Sequence, residues 1–322
     1  MSLPTTARSN LLGALCAIAG VFCFSLNDMA IKFLSGGYAL HQVVLFRSAI
    51  GLILFCVIIM PMSGGWRVLR TKRLPLHLFR GMCVVFANIT FFLGVAALPL
   101  ADAVAIFFVS PLVISVFSIV FLDERVGPRR WAAIGIGLVG VAIMLRPGSG
   151  TFQPAALLPL AAAVGYASLH MMTRHIGGTE SAATMSVYIQ ITFLIVSIAS
   201  GLVLGDGRFA GHDSPSLEFL FRAWIWPDPG DYPLFVVIGA ASMAGGWLIS
   251  QAYRIAEAGF AAPFEYVAMP LAVFWGVIVF GDWPDRVAWI GIALIVGAGL
   301  ILLWRERVQG DEVAIKGPKY RR

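Results

Sequence analysis

Several ionisable side chains stand inside long apolar stretches of this sequence, where little water is available to solvate a charge. Asp28, Arg47, His170 and Glu265 are the clearest cases. A charged group within an apolar helix that crosses a bilayer is costly, so by default it is a candidate for binding a substrate or carrying a proton. These residues are therefore the first candidates for chemistry.

Glu265 is the carboxylate of most interest, because it lies about one turn into an apolar segment, after Pro263 and beside Tyr266. In apolar surroundings a carboxylate holds a proton more easily than in water. The sequence therefore favours recognition of a cationic group or proton carriage by Glu265. The alternative is a salt bridge with Arg254 or Arg174.

Asp28 lies four residues before Lys32, so the two side chains share one face of a helix. Arg47, in the next apolar segment, is expected at a similar depth. Two interpretations stay open: a structural pair of Asp28 with Arg47 or Lys32, or a role in substrate binding or proton coupling. His170 is a further candidate, its alternative being a hydrogen-bonded packing residue.

Uncharged polar groups and aromatic rings in the same segments extend the candidate site. Amides in apolar spans need partners, which either a substrate or a neighbouring helix can supply. Aromatic rings can stack on a ring or a cation. The further substrate-binding candidates are Asn88, Gln190, Gln251, Tyr266 and Trp247. Pro111 and Pro270 remove backbone hydrogen bonds within spans and are candidate hinges.

Motifs for enzymes and metal centres are missing from the sequence. The 5 histidines and 4 cysteines are scattered without metal-ligand spacing. The sequence holds no G-x-x-x-x-G-K-[ST], H-E-x-x-H or G-x-S-x-G. We therefore expect no metal, no cofactor, no enzymatic activity and no direct use of ATP.

The composition indicates that nearly the whole chain lies in a membrane. It is 59% hydrophobic and 12% charged, against roughly 25% charged residues in soluble domains. The net charge of +6 resides in loops, so it does not indicate nucleic-acid binding. A span needs about 20 apolar residues, and the sequence predicts an all-α protein with ten spans, at 10–34, 40–60, 76–98, 102–122, 129–146, 154–175, 183–204, 233–255, 261–281 and 285–304.

The basic residues in the loops predict the orientation. With the N-terminus inside, 17 Lys and Arg residues fall on the inner side and 5 on the outer side. Because positively charged loops stay in the cytoplasm, we expect residues 1–9 and the tail 305–322 to be cytoplasmic. The expected location is the bacterial inner membrane.

The apolar segments occur as two similar sets. Pro111 aligns with Pro270 and Asp123 with Asp282 at an offset of 159 residues, and the run from Phe24 resembles that from Tyr166 at an offset of 142. Each set holds five spans, over residues 10–146 and 154–304. Because five is odd, the second set enters from the opposite side, which predicts two inverted repeats around a central cavity.

One connection, residues 205–231, is long and is expected outside. Ser214 followed by Pro215 is a good helix start. Leu217, Leu220, Phe221 and Trp224 then suggest an amphipathic helix lying on the membrane surface. A loop packed on the protein is the alternative. We expect this loop to be dispensable for transport, and the tail after Arg307 to be disordered.

With this arrangement of segments the sequence resembles the drug/metabolite transporter superfamily, in its ten-helix EamA-type branch. The resemblance lies in ALPLADAVAIFFVSPL and FLDERVGPRRW in the first half, and in AYRIAEAGFAAPFEYVAMPL and FGDWPDRVAWIGIALIVGAG in the second. It covers roughly residues 10–304. The AYR…PFEY run is most similar to bacterial members for S-adenosylmethionine or riboflavin uptake. The resemblance implies a substrate cavity between the two halves.

The preferred function is therefore a secondary transporter that moves a small polar or amphipathic metabolite, resembling an amino acid, nucleoside or vitamin, by alternating access. The alternatives are a uniporter or channel-like facilitator, and a membrane-embedded enzyme. Expected partners are a small-molecule substrate and the lipid bilayer, with protons and a second copy of the chain as further candidates. The direction of transport stays open.

Overall fold

The computed structural model describes residues 5–63, 65–122, 128–146, 153–176, 182–255 and 262–315. All regular structure in these ranges is helical. The α-helices of seven or more residues are α1 Thr5–Leu34, α2 Leu40–Leu54, α3 Leu74–Ala97, α4 Leu100–Phe107, α5 Ser110–Leu122, α6 Pro128–Leu145, α7 Leu157–Ile176, α8 Ala182–Leu204, α9 Pro215–Phe221, α10 Tyr232–Ile255, α11 Ala268–Phe280 and α12 Arg286–Ile315. Helix α2 continues directly as a π-helix, Phe55–Ile59, and a three-residue α-helix, Met60–Met62.

Within the described ranges, six helical segments are long and apolar enough to cross a bilayer, and four shorter apolar helices accompany them. The long segments are Leu11–Leu34, Leu40–Met62, Leu74–Ala97, Leu100–Phe117, Ala183–Leu204 and Pro229–Ala252. The shorter ones are Trp131–Leu145, Pro154–His170, Phe264–Phe280 and Arg286–Ile301. Each coincides with one segment expected from the sequence, and six of them meet the length of a full span.

Two expected spans are interrupted close to the paired prolines. The segment expected at 102–122 is divided at Phe108 and Val109 into α4 and α5, and Pro111 is the second residue of α5. The segment expected at 261–281 begins as a 3-10 helix, Ala262–Val267, before α11, in which Pro270 is the third residue. Each proline thus occupies a first helical turn, where its missing N–H costs little.

Helices that are remote in sequence pack side by side. α1 packs on α10, α3 on α7, α6 on α12, α2 on α8 and α4 on α11. Further contacts join α2 to α10, α3 to α8, α1 to α11 and α5 to α7. The main buried cluster lies among these helices and contains Ile31, Leu40, Phe92, Leu100 and Ile106. Charged residues of different helices are thereby brought together inside the bundle.

Glycine permits the close contact between α6 and α12. A Cβ atom on Gly140 would lie 2.9 Å from Ile295 Cγ1 and 3.1 Å from the Gly291 carbonyl oxygen, whereas one on Gly135 of the same helix would meet nothing within 4 Å. Small residues at such crossings let helix backbones approach in the absence of a hydrophobic driving force.

We expect Gly140→Leu to destabilise the protein by about 1–3 kcal/mol, because the added side chain overpacks the α6–α12 contact. Gly135→Leu is the matched control and should leave stability nearly unchanged. Thermal unfolding of both purified variants in detergent is the measurement. Equal stability of the two would contradict the close contact.

The 205–231 connection packs on the bundle through specific contacts, and its helix is shorter than the sequence suggests. Helix α9 does start after Ser214, but it ends at Phe221, where Arg222 turns to an extended conformation. Its Phe219 is fully buried, and Ser216 Oγ donates to the Leu93 carbonyl at 2.6 Å. Leu217 remains 42% exposed. These contacts favour the alternative interpretation, a loop packed on the protein.

Further hydrogen bonds tie this connection to the turn between α1 and α2. Arg222 donates to the Ser35 carbonyl at 2.8 Å, and Trp224 Nε1 donates to His41 Nδ1. Tyr38 donates to Asp231 Oδ2 at 2.6 Å. At the other end of the chain, α12 continues to Ile315, so helix replaces the disorder expected directly after Arg307.

Candidate functional site

Arg47 lies buried in the middle of the helix bundle, with only 4% of its surface exposed. Its Nη1 donates to Asn88 Oδ1 of α3 at 3.1 Å. The guanidinium also lies over two aromatic rings, 5.6 Å from the centroid of Phe92 and 4.8 Å from that of Phe193. Asn88 and the two rings therefore fix the position of a charge inside apolar helices.

Asp28 of α1 is half-buried and accepts a hydrogen bond from Asn27 Nδ2 at 3.0 Å. Arg47 acts on it electrostatically. Both side chains are described, and no nitrogen–oxygen distance of 4.0 Å or less joins Asp28 to Arg47 or to Lys32. Neither structural pair considered from the sequence is thus formed as a close ion pair.

Lys32 instead points to the far half of the chain. Its Nζ lies 3.7 Å from Asp282 Oδ2 and 5.1 Å from the centroid of Phe280. It also donates to the carbonyls of Val95 and Leu98 at the end of α3. Lys32 stands in the last turn of α1, and its ammonium therefore reaches backbone carbonyls at the C-terminal end of the neighbouring helix α3, which have no partner within that helix.

A second ion pair lies at the same end of the bundle. Arg146 Nη2 is 2.6 Å from both oxygens of Asp285, whose Oδ1 also accepts from the backbone N–H of Ala288 at 2.8 Å. Asp102, in the first turn of α4, interacts electrostatically with both pairs. We call Lys32, Asp282, Arg146, Asp285 and Asp102 the end cluster.

The hydrogen bond from Arg146, followed by that from the Ala288 N–H, holds the pKa of Asp285 below its ordinary value. A lowered carboxyl pKa stabilises the fold above the ordinary value, and this contribution is lost as the pH falls through the lowered pKa. Because Asp285 is 54% exposed, water screens the pair, and we expect at most about 1 kcal/mol.

We expect Asp285→Asn to remove this acid-dependent contribution while keeping the cap on α12, because asparagine caps helices as well as aspartate. Thermal stability of wild type and variant, measured from pH 7 downwards, should differ at neutral pH and converge in acid. A difference that persists unchanged in acid would contradict the ion pair as its cause.

Five aromatic side chains, which we call the aromatic row, lie in contact in two groups: Phe107, Tyr166 and His170 in one, and Phe108 and Tyr266 in the other. The rings of His170 and Tyr166 of α7 meet edge to face at 4.5 Å, and Tyr166 meets Phe107 of α4 at 5.3 Å. His170 is exposed although it feels the charge of buried Arg80. The Tyr166 ring thus fixes one side of His170, and the other side is exposed.

Glu265 lies in the 3-10 helix before α11 and is half-buried. Its carboxylate acts electrostatically on the hydroxyls of Tyr166 and Tyr266. The buried Tyr266 ring stacks on Phe108 at 5.0 Å, next to the break between α4 and α5. The side chains of Arg254 and Arg174, the salt-bridge partners considered for Glu265, lie outside the described residues.

The remaining candidates are more dispersed. Gln190 of α8 faces Gly51 of α2, where a Cβ atom would lie 3.0 Å from its Nε2. Gln251 is half-buried on α10, and Trp247 is 38% exposed without a ring contact among the described side chains. Gln190 therefore belongs to the contact between α2 and α8.

A small, partly open cleft borders the residues around Arg47. Phe193, whose ring lies against the Arg47 guanidinium, lines this cleft together with His41 and Ser197. Its wall is otherwise mainly apolar. Among the described residues, no group of three or more His, Cys, Asp or Glu side chains is arranged to hold a metal ion.

Comparison with known proteins accounts for this combination of apolar helices and buried charges. The sequence profile of the EamA-like transporter family matches residues 11–146. A riboflavin transporter of Vibrio cholerae is 31% identical over 307 residues, which cover 92% of this chain and 95% of that protein. The chain belongs to the EamA-like transporter family. The resemblance to the drug/metabolite transporter superfamily is thereby confirmed.

Two further proteins are similar over most of the chain. An S-adenosylmethionine uptake transporter of Rickettsia prowazekii is 25% identical over 286 residues, covering 88% of this chain and 89% of that protein. A crystal structure with 19% sequence identity superposes with a TM-score of 0.64, covering 92% of this chain and 98% of the other. That similarity shows the shared fold.

Proposed function

We propose that this EamA-family protein is a secondary transporter that moves a small polar or amphipathic metabolite across the bacterial inner membrane by alternating access. The observation that carries the proposal is the fixed, buried charge of Arg47 among apolar helices. Such charges are expensive in a membrane protein and characterise substrate and ion pathways.

The packing of the helices supports two inverted halves. We number the membrane segments in chain order, with α4 and α5 as the fourth and with α9 left out. We then exchange each of the first five segments with its counterpart among the second five. The contact between α1 and α10 becomes the contact between α7 and α3, which is also observed, and the contact between α2 and α10 becomes the observed contact between α8 and α3. The same exchange turns α1–α11 into a contact of α7 with α4 and α5. The contacts α2–α8, α4–α11 and α6–α12 map onto themselves. This is the pattern that a two-fold axis in the membrane plane would produce.

The end cluster supports one closed side. Lys32–Asp282 and Arg146–Asp285 each join a residue of the first half to one of the second. With the N-terminus in the cytoplasm, as the basic loops favour, this end faces outwards. Opening the outer side would then require both pairs to separate, because a substrate path between the halves must part them.

The substrate class is proposed from the relatives and the aromatic row. Riboflavin and S-adenosylmethionine, named for two relatives, are both metabolites with a flat heteroaromatic ring. Phe107, Tyr166, His170, Phe108 and Tyr266 offer rings on which such a group can stack. A nucleoside-like or vitamin-like substrate fits these rings, and Glu265 beside them is placed to receive a proton or a cation.

The test is transport by purified protein in liposomes, with radiolabelled riboflavin and S-adenosylmethionine each offered alone. We expect saturable uptake of at least one of them, accelerated by unlabelled substrate on the opposite side, since counterflow requires alternating access. Linear, non-saturable flux would indicate a channel. Chemical conversion of the substrate would indicate an enzyme, and protein-free liposomes are the control.

A further inference from the structure

A concentrated positive charge lies on residues 63–73, which join the second membrane segment to the third and which we call the basic connection. Its four cationic side chains are Arg67, Arg70, Lys72 and Arg73. The first three are exposed and the fourth is half-buried. The nearest acidic residues along the sequence are as distant as Asp28 and Asp102. Among the described side chains, none of the four cations lies within 4.0 Å of a carboxylate, so this charge is not neutralised there.

The basic connection is folded against the helix bundle. Gly65–Leu69 form a 3-10 helix, in which Val68 is buried in an apolar cluster with side chains of α8 and of the segment that continues α2. The hydroxyl of Tyr188 on α8 donates to the Leu69 carbonyl at 2.9 Å. The cations before and after these anchored residues therefore start from a fixed backbone.

Exposed apolar side chains stand beside the cations, at the surface of the membrane. The connection follows the apolar segment Leu40–Met62 and precedes Leu74–Ala97, so it lies where the hydrocarbon core gives way to lipid headgroups. Trp66 is 74% exposed and Met62 is 73% exposed. Tryptophan is typical of this boundary, because its ring is apolar and its N–H is polar.

We infer that the basic connection binds an anionic phospholipid, with its cations on the phosphate-bearing headgroup and Trp66 beside the start of the acyl chains. Guanidinium groups donate paired hydrogen bonds to phosphate oxygens. Clustered Lys and Arg residues directly beyond a membrane segment attract anionic lipids. The inference concerns the bilayer around the protein and does not depend on the proposed transport function.

Other ligands match this surface less well. Free phosphate or a soluble polyanion would meet the cations but would leave Trp66 and Met62 in water. A zwitterionic phospholipid would cover these two side chains, but its headgroup brings no net charge to the cations. A phospholipid with a net negative charge meets both requirements.

The experiment measures lipid retention by the purified full-length protein in a neutral detergent, using native mass spectrometry. Phosphatidylglycerol and phosphatidylcholine with identical acyl chains are added separately. We expect half-occupancy by phosphatidylglycerol at a concentration at least about tenfold lower, since each cation near an anionic headgroup contributes about fivefold. The preference should shrink as the ammonium acetate concentration rises, because salt screens exposed charges.

Three results with the wild type would overturn the inference. The first is equal retention of the two lipids, and the second is a preference for phosphatidylglycerol that salt does not change. The third is displacement of phosphatidylglycerol by inorganic phosphate at an equal concentration, which would indicate a phosphate site without lipid recognition.

The double variant Arg70→Gln/Lys72→Gln should lose at least about tenfold in retention of phosphatidylglycerol, while retention of phosphatidylcholine stays unchanged. The charge-conserving exchange Arg70→Lys/Lys72→Arg should keep the preference. Both pairs of substitutions concern exposed side chains, and thermal unfolding without lipid checks the fold of each variant.

Arg286→Gln is the matched control, because Arg286 is exposed and adjoins the end cluster. Helix α3 runs from the basic connection towards that cluster, and its 24 residues separate the two ends by roughly 36 Å. This variant should retain phosphatidylglycerol like the wild type. An equal loss in Arg286→Gln, or full retention by the folded double variant, would overturn the assignment of the lipid to the basic connection.

Discussion

Glu265→Gln is expected to reduce transport by roughly tenfold to a hundredfold while the protein folds and inserts normally. Glutamine keeps the size and hydrogen-bonding capacity of the side chain, so the change removes only the charge and the proton. A hydrogen bond to a charged group contributes about 1.5–3 kcal/mol, which corresponds to this range of rates. The measurement is initial uptake into liposomes as a function of pH.

The position of Glu265 explains why the effect should be large. Its carboxylate acts on the hydroxyls of Tyr166 and Tyr266, which come from different helices of the aromatic row. The aligned position in the first half holds apolar Ile106, so the carboxylate breaks the similarity of the two halves. Helix packing alone would not require that break, whereas recognition of a cation or proton carriage would use it.

Controls for the Glu265 prediction separate function from stability. Asp206→Asn is the matched variant, because Asp206 is a carboxylate in an exposed ion pair with Arg208 and should tolerate neutralisation. Thermal stability is measured beside uptake for both variants. A stable Glu265→Gln protein with an unaltered rate and an unaltered pH profile would exclude the proposed role.

Phe219→Ala is expected to destabilise the protein by about 3–5 kcal/mol, the range for truncating a fully buried aromatic side chain. Phe219 has 0% exposed surface and lies in the seven-residue helix α9, which packs against α3. The truncation would leave a cavity under the connection and loosen its attachment to the bundle.

Leu217→Ala is the matched control within the same helix, because Leu217 is 42% exposed and should cost little. Thermal unfolding and limited proteolysis in detergent measure both variants. Equal behaviour of the two would show that the connection contributes little to the stability of the fold. Its burial argues that replacing residues 205–231 with a flexible linker would expose apolar surface and lose several hydrogen bonds.

Much of the fold follows from the sequence because the controlling property is local. A run of about 20 apolar residues predicts a membrane helix whatever its neighbours are, and each of the expected segments coincides with an apolar helix. Asp28, Arg47 and Glu265 could be selected as candidate functional residues for the same reason. The free-energy cost of a charge in a membrane helix follows from the apolar residues around it in the chain. Pro111 and Pro270 lie in the first turns of α5 and α11, and their role as hinges stays a prediction.

The partners of these residues were decided by the tertiary structure. Lys32 could pair with Asp28 on its own helix but forms an ion pair with Asp282 instead. Arg47 donates a hydrogen bond to the side-chain amide of Asn88, which belongs to another helix. The buried face of the 205–231 connection, set by Phe219, was also misjudged from its pattern. In a soluble protein the polar face of a helix shows which side packs inwards. In a bilayer both the lipid and the interior are apolar, so hydropathy locates a helix but does not tell which face meets which neighbour.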